Sequence, residues 1–289
     1  VMRYKFPDPD DPASLAYTFQ DTTNRFAERP FLYFEDEMWT YADTNKAANI
    51  LATYLTSTGV KHGDRIVLFM ENRPSFVISL LALNKIGAIA VLINTSLTGD
   101  PLIHCINSSD SVKCIVGAEQ ADALEDVLDQ INITKQEDFL WSKDTDQYSL
   151  PDWAIDLQAQ LDNSNDKNLD ETNSVKAKDV ACYIFTSGTT GVPKAAICPN
   201  QKLIAASINI KMAGYRINEK DCMHNSLPLY HSTGLMLGLC AVVQAGASTF
   251  IKRKFSATSF WDEVQKYNTT ALVYFGELCR YLANSEPRQ

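Results

Sequence analysis

The chain has 289 residues, 45% of them hydrophobic and 10% aromatic, enough to bury a sizeable core as one large domain or two smaller ones. Its formal net charge of -9 excludes a nucleic-acid surface, because a phosphate backbone is held by clustered Lys and Arg that are missing here. Seven cysteines, odd in number and without a C-x-x-C pair, argue against a disulfide framework or a zinc site and for reduced thiols in a cytoplasmic setting.

In chain order, Val1 to Lys5 lead directly into Pro and Asp without the apolar run of a signal peptide. Asp11 as N-cap and Pro12 at the first helical position open a helix with Leu15, Phe19, Thr22 and Phe26 on one face. Thr40 and Asp43 form a capping box with Asp in place of Glu or Gln. Ala47, Ile50, Leu51, Tyr54 and Leu55 then make an apolar stripe, and Gly59 supplies the stop. Residues 65–70 read as a buried strand, 74–86 as a helix and 88–93 as another buried strand. A helix from Pro101 leads to a short strand at 113–116, and the alternation predicts a doubly wound, largely parallel α/β fold flanked by helices.

Residues 119–179 carry sixteen acidic side chains against five lysines and read as a solvated face. Within them, 161–179 is poor in apolar residues and rich in Asn, Asp, Ser and Lys, the composition of a mobile linker. This divides the chain into a first α/β subdomain over 1–160, a polar linker over 161–179 and a second α/β subdomain over 180–289. In the second, a strand is expected at 181–186, a helix at 200–213, a capped helix at 256–267 and a strand at 271–275. The most apolar stretches, 76–97 and 234–251, are interrupted by polar residues and glycines. They read as core rather than as membrane spans, although peripheral contact with a membrane remains compatible with the sequence.

The strongest chemical signal is Thr186-Ser187-Gly188-Thr189-Thr190-Gly191-Val192-Pro193-Lys194, directly after a buried strand and so at the edge where α/β sheets bind ligands. Gly188 and Gly191 allow a tight turn that presents N–H groups to an anion. Ser187, Thr189 and Thr190 add hydroxyl donors, and Lys194 adds positive charge. A Walker A loop is excluded by the spacing and by Ala195 where a magnesium-ligating hydroxyl would stand. A Ser187–Lys194 hydrolase pair is the rival reading, but redundant hydroxyls in a Gly/Thr-rich loop suit polyphosphate binding better.

This nine-residue run resembles the phosphate-loop signature of the adenylate-forming superfamily. The resemblance implies ATP, Mg2+ and CoA, with Thr186, Ser187, Gly188, Thr189, Thr190, Gly191 and Lys194 on the phosphates. In that family a carboxylate attacks the α-phosphate, pyrophosphate leaves, and the CoA thiol then converts the acyl-adenylate into a thioester and AMP. Leu227-Pro228-Leu229-Tyr230-His231-Ser232-Thr233-Gly234 is similar to the family's P-L-[FY]-H-x-x-G motif, which implies substrate contacts for Tyr230 and His231 and a catalytic role for His231. The stretches 93–105, 254–261 and 274–282 are similar to the fatty acid transport protein and very-long-chain acyl-CoA synthetase branch. Tyr274, Phe275 and Gly276, at a strand end, are candidates for an acyl tunnel wall.

The function so implied is ATP-dependent activation of a long or very long fatty acid, coupled to its uptake by trapping as a thioester. The branch pattern continues past Gln289, where its acidic magnesium motif and mobile C-terminal domain would lie, so the 289-residue chain alone is expected to be inactive and to hold no metal site. Two alternatives stand beside it: a ligase for an aryl, medium-chain or carnitine-like acid, and a non-catalytic lipid- and ATP-binding transport component.

Overall fold

The computed structural model describes residues 6–161, 166–186 and 192–284. Its elements run α1 (Leu15–Phe26), β1 (Pro30–Phe34), β2 (Glu37–Thr40), α2 (Tyr41–Ser57), β3 (Arg65–Phe69), α3 (Pro74–Lys85), β4 (Ile89–Leu92), α4 (Gly99–Ser108), β5 (Lys113–Gly117) and α5 (Ala121–Glu125). There follow β6 (Phe139–Ser142), β7 (Ile155–Asp156), α6 (Leu157–Leu161), β8 (Val180–Thr186), β9 (Lys194–Pro199) and α7 (Asn200–Asn209). The last are β10 (Cys222–Asn225), α8 (Cys240–Ala245), β11 (Ser248–Ile251), α9 (Phe260–Lys266), β12 (Ala271–Leu272) and α10 (Gly276–Ala283).

Local signals fix several of these ends. Thr40 and Asp43 form the expected capping box on α2, and Gly59 takes φ +91 just past its end. At α1 the cap is Ser14 rather than Asp11: its hydroxyl accepts from Tyr17 N at 3.0 Å, which moves the helix start three residues past the sequence expectation. The helix expected over 200–213 is α-helical only to Asn209 and continues as a π-helical segment, Ile210–Tyr215. A second π-helical segment, Thr233–Leu239, precedes α8.

The strands form two sheets, β7-β6-β5-β3-β4-β8-β9 and β12-β10-β11-β1-β2. Both are parallel except for one antiparallel edge each, β9 on β8 and β2 on β1. Successive side chains of β3 face opposite sides: Ile66 and Leu68 join the core that reaches α1, α2, α3 and α8, whereas Val67 and Phe69 join the core under α4 and α5. Burial on both faces explains why the strand reads as an unbroken apolar run.

The division expected at 161–179 does not separate the sheets. The larger sheet takes β8 and β9 from beyond that segment, and the smaller one takes β1 and β2 from before it. Nor is the described part of the segment a free linker. Thr172, Val175 and Ala177 are fully buried. Asn45 donates to Asn168 Oδ1 at 2.9 Å, Asn49 donates to Asp166 O at 2.9 Å, and Ala177 N donates to Asp11 O at 3.0 Å. Asn168 accepts from the Asn45 and Asn49 amides of α2, a structural role that composition cannot separate from solvation.

Two acidic residues of the supposed solvated face also turn inward. Arg73, 2% exposed, pairs with Glu119 at 3.6 Å and with Asp144 at 3.2 Å, and donates to the carbonyls of Ser142 and Lys143. Asp144 in turn accepts two hydrogen bonds from Arg253, at 2.7 and 2.9 Å. A buried ion pair is costly to break on one side only, because the partner charge is stranded. Arg73→Ala is therefore expected to destabilise the protein by about 3–5 kcal/mol, read from the shift of its urea unfolding midpoint.

A second polar cluster lies in the smaller sheet. His224 is buried on β10 between the rings of Phe250 and Phe260, and its Nε2 lies 3.1 Å from Glu263 Oε2. Burial alone would raise the Glu263 carboxyl. Hydrogen bonds from His224, Lys252 and Ser259 outweigh it and hold the pKa at about 2. Since the folded pKa lies below the ordinary 4.5, the stabilisation is fully present above pH 4.5 and is lost as the pH falls toward 2. The stability gap between the wild type and Glu263→Gln is expected to close over that window, measured by denaturation at a series of pH values.

Candidate active site

The nine-residue signature spans the turn of the β8–β9 hairpin. Thr186 and Lys194 pair directly across its base, and both are exposed. Ser187, Gly188, Thr189, Thr190 and Gly191 lie outside the described residues. At the far side of the turn, the ring of His104 on α4 donates from Nε2 to the Pro193 carbonyl at 3.0 Å. Because β8 runs parallel to β4, Thr186 emerges one strand away from the turn after β4. There Asn94 Oδ1 accepts from Ser96 N at 2.9 Å.

Ser96 lines a cavity of about 350 Å3. Its wall is assembled from the carboxyl ends of strands in both sheets: Asn72 after β3, Ser96 after β4, Tyr230 after β10, Phe255 after β11 and Phe275 after β12. Parallel strands leave their carboxyl ends on one edge, and ligands of α/β folds bind there. A larger cavity of about 500 Å3 lies beside Arg73 against α2 and α3. None of the candidate site residues lines it, and the smaller cavity, which holds Tyr230 and Phe275, is the candidate site.

Of the expected substrate residues, Tyr230 and Phe275 meet in this cavity. His231 stands next to Tyr230, with ring centroids 5.1 Å apart, and is exposed. Its backbone is fixed on both sides: His231 N donates to Pro228 O at 3.1 Å, and His231 O accepts from Leu235 N at 3.0 Å as the π-helical segment begins. That segment approaches closely. A Cβ on Gly234 would lie 2.4 Å from Pro228 O, and one on Gly238 would lie 2.3 Å from Asn225 Nδ2. Glycine lets the segment seat against the loop before Tyr230 at position 234 and against the Asn225 side chain of β10 at position 238.

Tyr274 and Gly276 are not brought into the cavity wall. The strand expected over 271–275 ends at Leu272, Val273 is buried, and Tyr274 and Phe275 are each 52% exposed. Gly276 opens α10, and an added Cβ there would meet nothing within 4 Å. Among the described residues no group of three or more His, Cys, Asp or Glu is placed to hold a metal ion.

Sequence reasoning missed Asn72, whose buried amide joins the cavity's loops, and gave no role to His104. The signal for Asn72 was a polar residue at the exit of an apolar strand, two positions before the helix-initiating Pro74. Its partners are more than 150 positions away and cannot be read locally.

Over residues 19–289 the chain matches the AMP-binding enzyme family. It belongs to that family. Over 274 residues it is 34% identical to long-chain fatty acid transport protein 6 of Mus musculus, covering 94% of this chain and 43% of that protein. It is 35% identical over 276 residues to the medium/long-chain-fatty-acid–CoA ligase FadD6 of Mycobacterium tuberculosis, covering 96% and 44%. The chain therefore spans less than half the length of these relatives. The fold superposes on the long-chain-fatty-acid-CoA ligase FadD1 of Archaeoglobus fulgidus with a TM-score of 0.83 at 20% identity, covering 98% of this chain and 56% of that one.

Although its edge is exposed, the His231 ring is crowded enough for desolvation to pull its pKa below the ordinary 6.5. The imidazole is thus neutral at pH 7 and able to accept a proton or a hydrogen bond. In an NMR pH titration its ring resonances are expected to move at a midpoint below 6.5, and a midpoint above that value would contradict the reading.

Proposed function

We propose that this chain is part of an ATP-dependent ligase that activates a long or very long fatty acid as acyl-CoA. Membership of the AMP-binding family carries this reading. It is supported by the emergence of the signature loop's base beside a cavity that gathers strand ends from both sheets, and by relatives whose names are those of fatty-acid ligases and transport proteins.

On this reading, Thr186 to Lys194 hold the ATP phosphates through backbone N–H groups, hydroxyls and the Lys194 ammonium. The fatty acid lies in the cavity against Tyr230 and Phe275, its carboxylate toward His231, with Tyr274 and Gly276 flanking its path. The carboxylate oxygen attacks the α-phosphorus as the bond to the β-phosphate oxygen breaks, giving acyl-adenylate and pyrophosphate. The CoA sulfur then attacks the acyl carbon, AMP leaves, and the thiol proton passes to solvent or base. Neutral His231 can donate its ring N–H to the carboxylate end without adding charge. Magnesium, bound with ATP, would neutralise charge on the phosphates, and no group of three or more His, Cys, Asp or Glu among the described residues would hold it apart from the nucleotide.

The transport name of one group of relatives fits the same chemistry, since conversion to a charged thioester prevents an acid from diffusing back. No helix among the described residues is long and apolar enough to cross a membrane. Because it spans 43–44% of two such relatives, the 289-residue chain is expected to give no acyl-CoA by itself.

The test is mass-spectrometric detection of acyl-CoA made by the protein from the whole reading frame, supplied with ATP, magnesium, CoA and free acids from short to very long. Thioesters confined to the long acids are the expected outcome. Thioesters from aryl or short acids alone would reassign the substrate, and ATP binding without pyrophosphate from any acid would leave a non-catalytic binding protein.

A further inference from the structure

The amide of Asn72 is 3% exposed and makes three hydrogen bonds, all to backbone groups of the other sheet's loops. Its Nδ2 donates to Leu227 O at 2.8 Å and to Lys252 O at 3.0 Å, and its Oδ1 accepts from Leu229 N at 2.8 Å. Both N–H groups are used, and the acceptor satisfies an N–H on a residue with no solvent exposure. One side chain at the exit of β3 thus fixes the loop after β10 and the loop after β11 at once.

Leu229 immediately precedes Tyr230, which lines the cavity, and Lys252 precedes the Arg253–Phe255 stretch that lines its other side. The neighbours of Asn72 reinforce the clamp: Glu71 pairs with Lys254 at 3.3 Å, and Arg73 reaches Arg253 through Asp144. Glu71 reaches the loop after β11 only through the exposed Lys254 side chain and Arg73 only through the Asp144 carboxylate, whereas the Asn72 contacts seize its main chain directly. Backbone held at both carbonyl and amide leaves the following residue little freedom.

We infer that Asn72 is a positioning residue for the acid half of the reaction: it sets the placement of Tyr230 and His231 in the cavity and leaves the phosphate loop untouched. No bond links it to β8, β9 or the turn after β4 among the described residues. Its removal is therefore expected to harm use of the acid and to spare use of ATP. This inference rests on the acid-activating reading above.

The experiment has two arms, each run on the wild type, Asn72→Ala, Asn72→Asp and Asn49→Ala. Asn72→Asp keeps the acceptor for Leu229 N and loses both donors. Asn49→Ala removes another buried amide, one bonded to Asp166 O and Asn168 Oδ1 and absent from the cavity wall, and serves as the control for a purely structural loss.

Hydrogen exchange by mass spectrometry, which needs no activity, is expected to show the 226–232 segment exchanging about tenfold faster in the Asn72 variants while 65–69 stays protected. In the protein from the whole reading frame, kcat/KM for the acid is expected to fall about thirtyfold with KM for ATP changed less than about twofold. The control should show neither effect. If Asn72→Ala does not fold, Asn72→Asp decides both arms.

Unchanged exchange at 226–232, or equal losses toward acid and ATP, overturns the positioning role. A wild-type protein that activates no acid overturns the functional reading itself, and the inference falls with it whatever the exchange shows.

Discussion

A guanidinium with almost no access to water sits where the two sheets meet. Arg73 can occupy that position because Glu119 and Asp144 offset its charge and the carbonyls of Ser142 and Lys143 accept from its two Nη groups. Asp144 shares its charge with Arg253 from the loop after β11, so the compensation runs from one sheet to the other. A buried charge tolerates few arrangements, since moving any member strands another. The sheets are thereby held in one relation, and the cavity assembled from their carboxyl edges keeps a defined shape. Asn72, one residue earlier, converts that relation into main-chain hydrogen bonds at the cavity wall.

What could be read from the sequence was what depends on near neighbours. The Thr40–Asp43 capping box, the apolar runs of β3, β4 and β8 and the Gly59 stop each follow from residues within a few positions. The signature at 186–194 was legible because its residue types are constrained by phosphate chemistry, and its expected position after a strand agrees with Thr186 closing β8. Tyr230 was singled out by resemblance and Phe275 by its place at a strand end, and the two line one cavity although they stand 45 positions apart in the sequence.

What could not be read depends on partners far along the chain. Composition made 161–179 a linker, yet its polar side chains bond to α2 and its few apolar ones are buried. The acidic run hid Glu119 and Asp144 among residues that do face solvent, because a paired carboxylate and a solvated one have the same letter. The two π-helical segments have no period that distinguishes them from α-helix over six or seven residues. The strand at 271–275 was overextended because aromatic residues favour strands and cavity walls alike.

The interleaving of the sheets also governs how the polypeptide can acquire its structure during synthesis. β1 pairs in parallel with β11, Leu32 opposite Thr249, across most of the chain. At typical translation rates β1 waits on the order of 10–40 s for that strand to appear. Until then its apolar side chains, Phe31 and Leu32 among them, have the antiparallel β2 on one side and nothing on the other. The larger sheet can close as soon as β8 and β9 are made, whereas the smaller one, and with it the cavity between them, is completed only near the last of the residues described. A nascent chain of this topology carries an unpaired β-edge until β11 is made, and that edge is open to pairing with other chains in the interval.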